Sequence, residues 1–300
     1  MDAFGTSCVL TAKEWNTPAS GTMAHSFIQA FDSEYEAFKA YAETYPNDCT
    51  LLIDTYDTLN SGIINAIKVF DEVLVPNGYR PKAVRIDSGD LSYLSKKLRT
   101  ILDNAGYEDC KICGTNALDE YVITSILDEG AKIDLFGVGE NLITAKSQPV
   151  FGGVYKLVAI EKDGNIIPKI KVSNNTIKIT NPGYKKIYRF YDKDTNKALA
   201  DVITLYDEEI PQDKYTIFDP LSPWKKKVLT NYTVRPLQKL IFDNGNLVYT
   251  SPEFSKIVDN TKKELDTLWD EARRLKNPHK YYVDLSQKLW DLKNQLLKSK

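Results

Sequence analysis

The feature that most constrains this chain is a short apolar run that stops at an acidic, hydroxyl-bearing turn and then gives way to a helical pattern. It occurs twice in close succession. Leu51-Leu52-Ile53 leads into Asp54-Thr55-Tyr56-Asp57, and Ala83-Val84-Arg85-Ile86 leads into Asp87-Ser88-Gly89-Asp90. Apolar residues at helical spacing follow each turn, from Leu59 to Phe70 and from Leu91 to Leu102. Two further units continue the series: Cys110 to Cys113 leads into Gly114-Thr115-Asn116, and Ile133 to Phe136 into Gly137-Val138-Gly139-Glu140-Asn141. Upstream, Pro18-Ala19-Ser20 leads into Gly21-Thr22-Met23-Ala24-His25-Ser26 and an apolar helix around Phe27 to Phe31. Alternation of this kind, with starts roughly twenty to thirty-odd residues apart, predicts a parallel α/β sheet or barrel, with five strand ends gathering polar residues at one rim.

Beyond residue 150 the grammar changes. Val154 to Ile160 and Asn165 to Val172 flank Asp163-Gly164, and Leu237 to Phe242 and Leu247 to Thr250 flank Asn244-Gly245, both hairpin signals. A Tyr- and Lys-rich stretch lies between them, with a turn at Asn181-Pro182-Gly183. The tail reads as helical: Ser251-Pro252-Glu253 opens a helix carrying Leu265, Leu268, Trp269, Ala272 and Leu275, Asn277-Pro278 stops it, and a last helix starts near Asp284. The expected division is a (β/α) barrel domain over residues 1–150, an antiparallel β accessory domain over 151–250, and C-terminal helices over 251–300.

Composition removes several classes. At 300 residues, with 42% hydrophobic and 27% charged, the chain is neither disordered nor a membrane protein by composition. No run approaches the roughly 18 apolar residues of a spanning helix, and Met1-Asp2-Ala3-Phe4 lacks the basic start of a signal peptide, so a cytoplasmic location is expected. A formal charge of −2 supplies no global field for nucleic acid or anionic lipid. The alternating stretch from Tyr184 to Tyr191, followed by Asp192 and Asp194, reads as a half-exposed strand rather than a nucleic-acid surface. Cys110 and Cys113 form a lone CxxC, but odd spacing on a strand points them to opposite faces, which disfavours shared metal ligation.

The candidate chemistry sits at the strand ends. Carboxylates there suit a ribose diol or a hard divalent cation. Asp54 and Asp87 should point into the mouth, whereas Asp57 and Asp90 stand where N-caps of the next helices belong. Arg85 is two residues before Asp87 and shares its face, so it pairs either with Asp87 or with a substrate carboxylate. Gly137-Val138-Gly139 reads either as a phosphate cup or as a tight turn. His25 lies in the loop with the acids, and His279 stands apart in the tail.

At this point the motifs resemble the nicotinate phosphoribosyltransferases. The resemblance is carried by Gly-Thr-Met-Ala-His-Ser-Phe at 21–27, Leu-Ile-Asp-Thr-Tyr-Asp at 52–57, Val-Arg-Ile-Asp-Ser-Gly-Asp-Leu at 84–91 and Phe-Gly-Val-Gly at 136–139. Gly-Gly-Val-Tyr-Lys-Leu-Val at 152–158, Lys-Ile-Thr-Asn-Pro-Gly at 178–183 and Asn-Pro-His-Lys-Tyr-Tyr-Val-Asp-Leu-Ser at 277–286 extend it along the whole chain. It implies the type II phosphoribosyltransferase fold, an incomplete (β/α) barrel with a partial antiparallel α+β accessory domain. The implied activity transfers a phosphoribosyl group from 5-phosphoribosyl 1-pyrophosphate to nicotinate in NAD salvage, with Mg²⁺ required and ATP hydrolysis coupled.

The resemblance also assigns residues. The histidine matching His25 is the one phosphorylated by ATP, acids matching Asp54 and Asp87 serve Mg²⁺-pyrophosphate and the ribose hydroxyls, and the arginine matching Arg85 touches the pyridine. Ser88 and Gly89 border the same site, and the loops bearing Gly114, Thr115 and Asn116, and Gly137, Gly139, Glu140 and Asn141, hold the 5′-phosphate. A nicotinamide- or quinolinate-specific relative is the alternative, as is a non-catalytic fragment or assembly subunit. Family members carry a further N-terminal segment, and Phe4-Gly5-Thr6-Ser7 resembles their barrel interior, so the chain alone is expected to be poorly active, either needing an N-terminal companion chain or being a fragment of a longer one; a homodimer is implied by the family.

Overall fold

The computed structural model describes residues 3–175 and 178–299, which leaves Met1 and Asp2 of the N-terminal reading outside the described residues. The chain divides into two compact units, Ala3–Gly152 and a second that begins at Gly153. In the first, α1 (Val9–Trp15), α2 (His25–Gln29) and α3 (Glu34–Thr44) precede a four-stranded parallel sheet. Its strands β1 (Thr50–Leu52), β2 (Ala83–Ile86), β3 (Lys111–Gly114) and β4 (Leu135–Phe136) lie side by side in chain order. The intervening helices are α4 (Ile63–Val69), α5 (Leu91–Asn104) and α6 (Glu120–Asp128), and α7 (Glu140–Ile143) follows β4.

The strands read as continuous apolar runs because the sheet is covered on both faces. Leu51, Leu52, Val84, Ile86 and Ile112 are fully buried, in one core with Phe38, Ile63, Phe70, Leu98 and Leu102. Asp57 and Asp90 act as the caps their positions suggest. Asp57 Oδ1 accepts the Leu59 and Asn60 amides at 3.0 and 2.8 Å, and Asp90 Oδ1 accepts the Tyr93 amide at 2.9 Å. The helical segment after Asp57 opens with a π turn, Thr58–Gly62, and Gly62 there lies so close to β1 that a Cβ would stand 1.8 Å from the Ile53 carbonyl oxygen. Glu34 ties α3 to this segment, its Oε2 accepting Ser61 Oγ at 2.6 Å and Asn65 Nδ2 at 3.0 Å.

Pro18-Ala19-Ser20 departs from expectation. Only Ala19 forms a bridge, to Thr6, so four strand ends line the sheet rather than five. A proline cannot donate to a ladder, and here the Pro18 carbonyl is taken by the Thr6 amide at 3.0 Å.

The second unit contains a hairpin of β5 (Ala159–Lys162) and β6 (Asn165–Pro168), turned by Asp163 and Gly164, both at positive φ. Next come β7 (Lys185–Asp192), β8 (Ala198–Leu205), β9 (Lys214–Asp219), β10 (Ser222–Thr230) and β11 (Tyr232–Pro236), then β12 (Phe242–Asp243) and β13 (Asn246–Leu247) about the Asn244-Gly245 turn. The chain finishes with α8 (Phe254–Thr267), β14 (Val283–Leu285) and α9 (Gln287–Lys298). The main sheet has the order β11-β7-β8-β14, and β9 pairs with β10. Phe190, Ala200, Val202, Ile217, Leu229 and Tyr232 form its core.

Two helix boundaries differ from the sequence reading. The helix expected to reach Leu275 ends at Thr267, where the Lys197 ammonium takes the Asp266 and Leu268 carbonyls at 2.8 and 3.1 Å and Leu268 turns extended. The last helix begins at Gln287, capped by Ser286 Oγ on the Leu289 amide at 3.1 Å; Asp284 belongs instead to β14, which runs parallel to β8 and makes this sheet mixed. Among the described residues no helix is long and apolar enough to cross a membrane.

The contact at Gly62 predicts that Gly62→Ala costs about 3 kcal/mol or more in urea unfolding. Gly152→Ala, where nothing lies within 4 Å, is expected to change stability by less than about 0.5 kcal/mol.

Candidate active site

The site is built where β1, β2 and β3 end. The Ile53 amide donates to the Arg85 carbonyl and the Thr115 amide to the Ile86 carbonyl, both at 3.0 Å, so the three turns begin level with one another. Asp54 follows β1 with its side chain 1% exposed. Its Oδ2 accepts the Asp87 amide at 2.8 Å and the Ser88 hydroxyl at 2.6 Å, fastening the first turn to the second. The other oxygen, Oδ1, is buried without a hydrogen-bond partner and lies 4.0 Å from His25 Nε2.

His25 is the first residue of α2. Its Nε2 is also 3.6 Å from Asp87 Oδ2, and its Nδ1 is 3.0 Å from Thr55 Oγ1. Arg85 reaches Asp87 Oδ2 with Nη2 at 3.2 Å, donates from Nε to Thr115 Oγ1 at 3.0 Å and from Nη1 to the Met23 carbonyl at 3.3 Å. The Thr115 hydroxyl also faces Asp87 Oδ1 and the Ile86 carbonyl. One hydroxyl thus links the guanidinium to the carboxylate.

The structure therefore brings His25, Asp54, Arg85 and Asp87 together within one unit. Ser88 joins them through Asp54, and Gly89 supplies the positive φ of +78° that its turn requires. Thr115 points inward at the pair it bridges, whereas Asn116 is exposed at a φ of +86°. Gly114 and Gly137 have packing reasons for lacking a Cβ: one would stand 2.9 Å from Ile133 Cδ1 and the other 2.6 Å from Thr115 Cγ2. Gly139 and Glu140 are exposed, and Asn141 ties its loop to the β3 turn by donating to the Leu118 carbonyl at 3.0 Å.

Two groups went unread in the sequence. Thr55 carried a visible signal, a hydroxyl next to the acid; the Met23 carbonyl carried none, since any residue supplies one.

Beside the site the half-buried Cys113 thiol is pushed up, first by desolvation, with Arg85 pulling it back and Asp87 adding to the rise. It remains an unreactive thiol, unpaired with Cys110. Among the described residues no group of three or more His, Cys, Asp or Glu is arranged to hold a metal. The unpartnered Asp54 Oδ1 and the Asp87 carboxylate nevertheless offer hard oxygen donors, which fits a Mg²⁺ that takes one or two carboxylates and completes its shell from substrate phosphates and water.

Residues 184–293 match the family model described as nicotinate phosphoribosyltransferase C-terminal domain. Over 293 residues the chain is 46% identical to nicotinate phosphoribosyltransferase of Bacillus subtilis (strain 168), covering 97% of this chain and 59% of that protein. The chain belongs to the nicotinate phosphoribosyltransferase family. The Caenorhabditis elegans nicotinate phosphoribosyltransferase is 32% identical over 349 residues, covering 97% of this chain and 61% of its own length. Among solved structures, human nicotinic acid phosphoribosyltransferase superposes with a TM-score of 0.79 at 26% identity, over 98% of this chain and 65% of that one. The chain thus spans about three-fifths of the length of the curated nicotinate phosphoribosyltransferases it matches. Among the described residues no closed barrel forms: the parallel sheet is open, as expected of an incomplete one.

The bridging hydroxyl yields a test. Thr115→Val leaves Arg85 Nε and Asp87 Oδ1 each short of a partner and is expected to lower stability by about 1–3 kcal/mol in urea unfolding, with Thr115→Ser retaining most of it.

Proposed function

We propose that this chain carries the catalytic groups of a nicotinate phosphoribosyltransferase, joining nicotinate to the sugar of 5-phosphoribosyl 1-pyrophosphate and releasing pyrophosphate. The observation that carries the reading is the convergence of His25, Asp54, Arg85 and Asp87 on adjacent parallel strand ends. The names of the relatives supply the substrates: the B. subtilis, C. elegans and human proteins are all named for phosphoribosyl transfer to nicotinate or nicotinic acid.

Loss of pyrophosphate leaves positive charge on the ribose, so a carboxylate held rigidly beside the anomeric carbon lowers the barrier by electrostatic preorganisation. We assign this role to Asp87, whose orientation is set by the Thr115 hydroxyl and Arg85. Asp54 and Asp87 would hold Mg²⁺, which when bound neutralises the departing pyrophosphate. Arg85 has a planar fork suited to a pyridine carboxylate, and its contacts to Thr115 and the Met23 carbonyl preset the direction in which that fork faces. A nicotinamide- or quinolinate-specific enzyme would place a different demand on Arg85, since a neutral amide gains little from a guanidinium and a second carboxylate needs a second cation. His25, flanked by both acids, is the group we assign to phosphorylation by ATP. The loops of Gly114 to Asn116 and Gly137 to Asn141 would receive the 5′-phosphate.

Oligomerisation belongs to the same proposal. Phe4, Val9 and Leu10 are 75%, 72% and 63% exposed, and β1 is an open sheet edge, so a second polypeptide, as a companion segment or another subunit, is expected to cover them.

The decisive assay is pyrophosphate release. It should require both nicotinate and phosphoribosyl pyrophosphate, with Mg²⁺ present, and ATP should stimulate it; His25→Ala should abolish the stimulation. Release that proceeds without nicotinate, or equal ATP stimulation in His25→Ala, would contradict the reading.

A further inference from the structure

A cation drawn halfway out of water is costly unless negative charge meets it. The half-buried arginines of this protein are answered in that way: Arg85 reaches Asp87, Arg99 reaches Asp103 and Arg189 reaches Asp201. Lys197 meets carbonyls at the C-terminal end of α8, where the helix dipole is negative, and Lys186 lies over the Tyr206 ring, 4.1 Å from its centroid. Lys185 and Lys293 depart from the pattern. Both are half-buried, and each reaches only a neutral oxygen of the Asn181-Pro182-Gly183 turn: Lys293 Nζ donates to Asn181 Oδ1 at 2.8 Å, and Lys185 Nζ donates to the Gly183 carbonyl. We propose that this turn and its two lysines form a binding site for a phosphate-type oxyanion.

The turn is fixed independently of the lysines. Pro182 followed by Gly183 at a φ of +87° is the type II pattern. The Gly183 amide donates to the Val158 carbonyl at 2.8 Å, and a Cβ on Gly183 would stand 2.8 Å from Leu205 Cδ2. Lys185 opens β7 and Lys293 lies in α9, so two separate elements send their ammoniums to the same three residues. The two acceptors are two residues apart, which keeps their Cα atoms within about 7 Å, and one anion can lie against both ammoniums.

The unspent donors decide the class of ligand. Each ammonium carries three protons, one of which is given to the turn. Asn181 has its Oδ1 taken by Lys293, and its Nδ2 makes no hydrogen bond among the described residues. Two positive charges and an amide donor match a group with several acceptor oxygens and more than one negative charge, which a phosphate provides and a single carboxylate does not. Burial pulls both ammoniums below the usual lysine range with no neighbouring acid opposing it, and a dianion seated against them supplies the missing charge. That phosphate can be the free ion or part of a nucleotide.

The two lysines themselves report occupancy. The full chain is acylated by limiting N-hydroxysuccinimidyl acetate at an ionic strength held constant with sodium chloride, and the rate at each lysine is read by peptide mass spectrometry. With inorganic phosphate at about ten times its dissociation constant, acylation of Lys185 and Lys293 should slow about tenfold, while the exposed Lys225 and Lys226 keep their rates. Lys293→Met, which keeps the apolar stem, should weaken the protection of Lys185 by about tenfold, and Lys293→Arg should retain it. A parallel titration with ATP separates the sources: protection at much lower concentration than phosphate assigns a nucleotide, and protection no tighter than phosphate assigns the free ion. Unchanged rates at Lys185 and Lys293 in both titrations, slowing shared by Lys225 and Lys226, or full protection of Lys185 in Lys293→Met overturns the site. Both lysines belong to the unit that begins at Gly153, whereas His25, Asp54, Arg85 and Asp87 belong to the other, so loss of pyrophosphate release and loss of this protection are read separately.

Discussion

The Asp54 carboxylate is the fastening on which the rest of the site depends. One oxygen takes the Asp87 amide and the Ser88 hydroxyl, and by doing so it converts two independent strand ends into one rigid rim. Charge-assisted bonds to a buried carboxylate are among the stronger ones available to a protein, and they cost little further ordering because β1 and β2 are already locked in a parallel ladder. The close approach of Gly62 to the Ile53 carbonyl serves the same end, since it brings the following helical segment directly against the strand that carries Asp54.

From that rim the charge distribution follows. Two acids and an arginine are assembled with a histidine where sheet, α2 and the β3 turn meet, and most of their hydrogen-bonding capacity is spent on one another. Arg85 holds Asp87, Thr115 holds both, and Thr55 holds His25. What is left over is informative: Asp54 Oδ1 has no partner. A buried carboxylate oxygen left without a partner is expensive in a structural site and useful in one that receives a cation or a proton. The similarity to nicotinate phosphoribosyltransferases and this leftover acceptor both support the sugar-phosphate role proposed for the site.

Much of this was legible before any coordinates. Apolar runs ending in Asp54 and Asp87 identified the strand ends, Asp57 and Asp90 were readable as caps, and the Asp163-Gly164 and Asn244-Gly245 pairs marked their hairpins, because all of these are local signals. What escaped depended on contacts far along the chain. Nothing near Thr267 announces a helix end; Lys197, some seventy residues away, imposes it. Asp284 reads as helical until β8 pairs with it, and Pro18 to Ser20 reads as a strand until it has no sheet to join. The Gly137 loop shows the same limit at the site itself: its sequence suggests a phosphate cup, while the observed reason for a missing Cβ there is the Thr115 methyl.

The central claim is that these four side chains form one receptor for a phosphorylated sugar. A crystal structure of the protein with Mg²⁺ and 5-phosphoribosyl 1-pyrophosphate tests it most directly. The account predicts pyrophosphate and ribose density against Asp54 and Asp87, with Arg85 and His25 lining the same pocket. A ligand ordered elsewhere on the chain, with those carboxylates facing only solvent, would contradict it.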